Sequence, residues 1–314
     1  MKTGITYSTT GERSRSRLSG YHCSPRALDH SYGATEIDVK NIKSKVTNVG
    51  SREANYRSNY TIGFEVEKNR FGHSYRKEYA LFKGFESDSS CGVEAITNIL
   101  PLLPPSQWRN KIFDMIFKAK GILNDATSPS DFHCGGHITL KVNNMDALDF
   151  YQAIRLNSAI LMSLFRKRLK NKYCRHNLRM DVRTVFNTPT SFNGGNDENY
   201  GRLRYYLDEN GWHSKYQFCL LKSDEGLIEF RVPNRITSYK QMFRRYELMY
   251  EIVDFSITKP NGRFSSLLNK VKPTILSMYE GDTAKTDMIL SLAKDFRKFI
   301  KDGTISNSIK EFIR

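Results

Sequence analysis

Gly63-Phe64-Glu65-Val66-Glu67 alternates apolar and acidic residues, and this short run constrains the chain more than any other. A period of two belongs to a β-strand, so Glu65 and Glu67 share one face while Phe64 and Val66 share the other. Far downstream, Ile228-Glu229-Phe230-Arg231 repeats the pattern, with a carboxylate and a guanidinium on a common face. Such strands require a sheet and a counterpart for the charges aimed at one side of it, because charge removed from water is costly unless paired. Carboxylates backed by an arginine suit a divalent cation and phosphate.

Further strands are expected at 60–66, 78–85, 137–142, 215–221 and 226–232, each bounded by Gly, Asn, Asp or Ser. Lys222-Ser223-Asp224-Glu225-Gly226 reads as the turn of a hairpin that carries Glu229 and Arg231. Helices alternate with these strands. Ser106 caps a segment with Trp108, Ile112 and Ile116 on one stripe, and Asn144 is expected to open a long helix with Ala147, Phe150, Ile154, Leu161 and Phe165 inward. Ser238 and Gln241 form a capping box before a helix whose Met242, Tyr246, Met249 and Val253 face inward, with Lys240, Arg244, Glu247 and Glu251 opposite. After the breaker Lys259-Pro260-Asn261-Gly262, two or three helices follow, notably at 287–301 and 306–313.

The pattern predicts an α+β fold, an antiparallel sheet of five or six strands with helices on one side and an open face for a site. Three segments are expected: a basic, partly ordered N-terminal arm over 1–55, a catalytic domain over 56–258 and a helical extension over 259–314. At 39% hydrophobic and 12% aromatic the chain can bury a core. It has no apolar run long enough to span a bilayer and no apolar stretch near Met1, which predicts a soluble cytoplasmic protein with no membrane partner. The five cysteines are scattered and odd in number, and read as reduced thiols rather than a zinc or disulfide framework. A formal charge of +16, with eight Lys or Arg against the single Asp181 between Arg166 and Arg183, points to an anionic partner.

Two more runs carry candidate chemistry. Glu86 to Glu94 is an acidic, small-residue turn that either delivers carboxylates to a sheet rim or simply precedes a helix. Cys134-Gly135-Gly136-His137 couples a glycine turn, which permits close backbone approach, to a strand bearing His137 and Thr139 on one face. His137 is a metal or phosphate ligand, or a structural histidine.

The order of these motifs resembles the amidoligase family of the carboxylate-amine ligase superfamily, from about Tyr60 to Phe255. Gly63, Glu65 and Glu67 match the family's Gly-x-Glu-x-Glu strand, and Asp88, Ser90, Gly92 and Glu94 its Asp-x-Ser and Gly-x-Glu turn. Cys134, Gly135 and His137 match a Cys-Gly-x-His-x-His strand, with Thr139 in place of the second histidine. Arg168, Asn171, Tyr173 and Cys174 match an Arg-x-x-Asn-x-Tyr-Cys pattern, Lys215-Tyr216 opens the next strand without the Asn expected after it, and Glu229-Phe230-Arg231 is intact.

The resemblance implies a half-barrel of the glutamine synthetase-like type and ATP-dependent formation of an amide or isopeptide bond through an acyl-phosphate. It implies that Glu65, Glu67, Glu94 and Glu229 hold Mg2+, and that His137 and Arg231 contact cofactor and act in catalysis, with Arg168 and Lys215 as further cofactor contacts. Phosphoryl transfer needs chiefly positioning and neutralisation of charge, which hard cations and arginine supply. A Walker loop, the other common route to ATP, does not occur in the sequence. The carboxylate and amine substrates would be small molecules, peptides or proteins. Asp197 and Glu198 are candidates for the group that deprotonates the amine. Two other readings stand beside this one: a non-catalytic structural or interaction protein on the same scaffold, and a basic nucleic-acid-binding protein. Homo-oligomerisation is compatible with all three.

Overall fold

A computed structural model describes residues 6–7, 59–72, 81–88, 91–98, 100–171, 174, 218–222 and 227–313. The expectations for Lys215, Tyr216, Asp197 and Glu198, and for the arm apart from Thr6 and Tyr7, lie outside these residues. The strands are β1 (Thr6–Tyr7), β2 (Tyr60–Lys68), β3 (Phe82–Asp88), β4 (Gly92–Thr97), β5 (Leu100–Pro101), β6 (Ile138–Val142), β7 (Cys219–Lys222) and β8 (Leu227–Phe230). The helices are α1 (Gln107–Lys118), α2 (Lys120–Leu123), α3 (Ala147–Ile154), α4 (Ala159–Leu164), α5 (Tyr239–Thr258), α6 (Phe264–Met278), α7 (Thr283–Asp302) and α8 (Lys310–Ile313), with a 3-10 turn at Arg166–Lys170. The fold is α+β with antiparallel sheet, as the sequence predicts, and no helix among the described residues is long and apolar enough to cross a membrane.

The chain divides into two compact units, Met1–Asn144 with Asn234–Glu247, and Met145–Pro233 with Leu248–Arg314. In the first, the strands run β1-β3-β4-β2-β6, and β5 also pairs with β2. Among the described residues, the pairings in this unit are antiparallel except β1 with β3. β2 is longer than expected and central, with Ile62, Phe64 and Val66 buried on one face and Glu65 and Glu67, 3% and 4% exposed, on the other. The acidic face of β2 is therefore covered rather than open. Alternation separates two faces of a strand but carries no information about what covers each.

After the turn around Cys91 the chain enters β4 rather than a helix, so Glu94 is a strand residue. α1 begins as read, with the Ser106 hydroxyl accepting from the Arg109 amide at 3.2 Å. Its Phe113 stacks on Phe243 with centroids 4.4 Å apart and meets Tyr246 edge-on. Tyr246, fully buried, accepts from the Leu103 amide at 2.8 Å and donates to the Pro101 carbonyl, tying the start of α5 to the end of β5. The α5 cap follows the sequence closely: Ser238 Oγ accepts from Gln241 N at 3.3 Å, while Gln241 Oε1 reaches back to Thr237 N at 3.0 Å.

The second unit corrects one helix. Asp146, not Asn144, is the cap, its carboxylate accepting from Asp149 N at 2.7 Å, while Asn144 sits at φ 60° before it. The long helix is two short ones, because α3 stops at Ile154 and α4 starts at Ala159. Asn157 and Ser158 lie in the break, where Ser158 Oγ donates to Arg155 O at 2.6 Å and Asn157 Nδ2 to Ser256 Oγ at 2.8 Å. Short polar side chains that bond locally compete with the helical ladder, while the apolar stripe carries on past them. α4 packs on α7, with Ser163 Oγ donating to Ile289 O at 2.5 Å. β7 and β8 form the expected hairpin, Leu220 opposite Glu229.

Candidate metal centre

In the first unit the antiparallel register explains why four of the expected residues converge. Gly63 pairs with Thr139 and Phe64 with Ile138 across β2 and β6, so Glu65 falls beside His137, whose carbonyl accepts the Glu65 amide at 3.2 Å. On the other edge of β2, Glu67 stands directly opposite Glu94. Directly paired residues and residues two apart point to the same face. Glu65, Glu67, Glu94 and His137 thus form one cluster, all between 1% and 6% exposed.

The imidazole lies between two carboxylates. Its Nδ1 lies 2.7 Å from Glu65 Oε2 and its Nε2 3.4 Å from Glu67 Oε1. A carboxylate only accepts, so Nδ1–H donates to Glu65, which fixes ring orientation in the way acidic partners hold metal-ligating histidines. One ligand atom each from Glu67, Glu94 and His137 lie within 4.8 Å of one another. Like charges directly opposite on neighbouring strands destabilise a sheet. Glu67 facing Glu94 is a donor set suited to a divalent cation, and a fixed histidine lone pair at Nε2 would complete it. Lys68 does not serve this cluster. It points to the other face of β2, where Nζ donates to Leu123 O at 2.9 Å, Ile236 O at 2.7 Å and Asp125 Oδ1 at 2.7 Å.

The glycine turn before His137 makes the close approach its sequence predicts. Gly135 N donates to Glu67 Oε2 at 2.5 Å, and Gly135 bridges to Asn234. A Cβ on Gly136 would stand 2.7 Å from both Asn234 O and Arg245 Nη1. Arg245, 2% exposed, donates to Asn234 O at 2.6 Å, Asn234 Oδ1 at 2.5 Å and Arg235 O at 2.9 Å, clamping the segment against which that turn lies. Arg245 is a positioning residue that sequence reasoning passed over. Its signal was an arginine on the apolar stripe with Met242, Tyr246 and Met249. In the backbone register β3 places Glu86 opposite Glu94, which itself pairs with Glu67.

The second unit holds the remaining described candidates. Glu229, 1% exposed, lies on β8, and Arg231 follows just past its end, where Nη1 donates to Glu229 Oε1 at 2.6 Å. The Arg231 amide still bonds to Phe218 O at 3.0 Å, extending the hairpin by a step. Arg168 lies in the 3-10 turn, and its carbonyl accepts from the Cys174 thiol at 2.6 Å. Burial pushes the Cys174 thiol up to about 11 although the Arg168 and Arg231 guanidiniums pull the other way. Burial likewise raises Cys219, helped by Glu229. Cys134 moves down, chiefly through a hydrogen bond from Cys91. Cys91, Cys134, Cys174 and Cys219 are all buried thiols, as packing residues should be.

Compared with known proteins, the chain matches no family model and no curated protein.

Proposed function

We propose that the protein is an ATP- and Mg2+-dependent carboxylate-amine ligase of the glutamine synthetase-like type. The observation that carries the reading is the buried row of facing carboxylates, Glu67 and Glu94, beside a histidine oriented by Glu65. These residues fit a divalent cation by donor type and spacing, and a bound cation would supply neutralisation of phosphate charge. Glu67 and Glu94 would be ligands, His137 would offer Nε2, and Glu65 would hold the ring as well as add negative charge. In the second unit Arg168, Glu229 and Arg231 would serve an anionic reactant and its cation, with Arg231 exchanging its Glu229 bond for phosphate oxygen. The amide-forming step remains assigned by the motif order alone.

The test is calorimetric titration of the full chain with Mg2+ and ATP, with Mn2+ binding followed by electron paramagnetic resonance. Glu67→Gln and Glu94→Gln should each weaken cation affinity roughly 10–100-fold while circular dichroism stays unchanged, the range seen when groups around a metal are disturbed. Equal affinity in the parent and both variants, or no cation binding at all, overturns the reading. Thr139, 5% exposed where the family pattern has histidine, favours a second reading, a non-catalytic protein on the same scaffold. Intact Mg2+–ATP binding without turnover of ATP in the presence of any amine would select that one.

A further inference from the structure

The second unit contains a groove of about 520 Å3 between the 3-10 turn, α7 and α8, within the size range of ligand-binding clefts. We propose that it is a docking site for an acidic peptide segment of a partner protein that sets a large apolar side chain between carboxylates. This inference does not depend on the ligase reading.

The floor is apolar. Met288 and Leu292 are four residues apart on α7 and share a face, and Phe312 of α8 closes the end. Met288 is 40% exposed, an open and adaptable thioether surface of the kind that accepts varied apolar side chains. The rim is net cationic, with Arg166, Lys167 and Lys170 against the one acid Glu311. Lys170 lies 3.5 Å from Glu311, but among the described residues no carboxylate pairs with Arg166 or Lys167. Arg166 is instead tethered to the Ser163 carbonyl at 3.2 Å, which aims its charge without neutralising it.

Charge complementarity therefore requires an anionic occupant, and the floor requires an apolar one. Nucleic acid satisfies only the first condition. Its bases need open aromatic faces, and the ring of Phe312 already has the Arg166 guanidinium at 5.7 Å and the Lys170 ammonium at 5.5 Å over it. A free acyl chain would lie half in water in so open a groove. A peptide alternating Glu with Leu or Phe satisfies rim and floor together.

The probe is a fluorescein-labelled peptide, Glu-Leu-Glu-Glu-Phe-Leu-Glu-Glu, titrated with the full chain at physiological salt and followed by anisotropy. Its Gln-for-Glu analogue and a uridine-rich single-stranded RNA serve as competitors. Lys167→Gln and Met288→Gln alter exposed positions and should leave the fold intact by circular dichroism. Each should weaken binding about tenfold or more, as loss of a central contact or a steering charge does, and neither competitor should displace the probe. The proposal is overturned if the probe does not bind, if Met288→Gln binds as well as the parent, or if the RNA displaces it.

Discussion

Lys68 shows how a charged residue can be wholly taken up by the fold. Its ammonium is fully buried and held by two carbonyls and Asp125. Burial pulls its pKa below the usual lysine value, against the opposing pull of Asp125. Lys68→Met should cost about 3 kcal/mol in urea unfolding at pH 7, since two buried carbonyls and a carboxylate lose their donor. The sign of the pH effect follows from the lowered folded pKa. Between that value and 10.5 the unfolded chain binds more protons, so the parent gains stability as pH rises through this window. The gap between parent and Lys68→Met should widen from pH 7 to pH 10, and a constant gap would show that Lys68 stays protonated throughout. Glu65, Glu67 and His137 were legible from alternation and a glycine turn, because strand periodicity is a local property. Arg245 was not, since an arginine on an apolar stripe gains meaning only from the carbonyls it meets at Asn234 and Arg235.

Among the elements, caps and breaks carry the differences between expectation and structure. Apolar spacing through Ala147, Phe150, Ile154, Leu161 and Phe165 continues across a turn, so periodicity alone merges α3 and α4. The cap at Asp146 predicts that Asp146→Ala lowers stability by about 1 kcal/mol. Asn144→Gly should shift it by only a few tenths, because glycine adopts the φ of 60° found there at least as readily. Urea unfolding of the two variants distinguishes the positions, and the reverse ranking would restore Asn144 as the cap. The Ser238 box, the Ser106 cap and the β7–β8 hairpin were readable because each signal lies within a few residues of its partner.

For the whole molecule, the charge of +16 predicts weak, unspecific attraction to polyanions in addition to any shaped site. Affinity for a random single-stranded RNA should fall about 10–100-fold between roughly 50 and 200 mM salt, as bound phosphates exchange with counterions. Filter binding that ignores salt would show that net charge does not drive the attraction. The α+β class and its antiparallel strands were within reach of a sequence reading, which expected one catalytic domain over 56–258; the chain divides into two compact units, the second of which takes up both 145–233 and the helices after 248. Periodicity along the backbone dictates which side chains share a face, and turn chemistry dictates where strands reverse. Strand partners, the pairing of Glu67 with Glu94, and the burial of Glu65, Glu67 and Glu94 beside His137 depend on residues distant in the chain. No local pattern encodes them: long-range pairing is selected by the packing of all strands and helices at once.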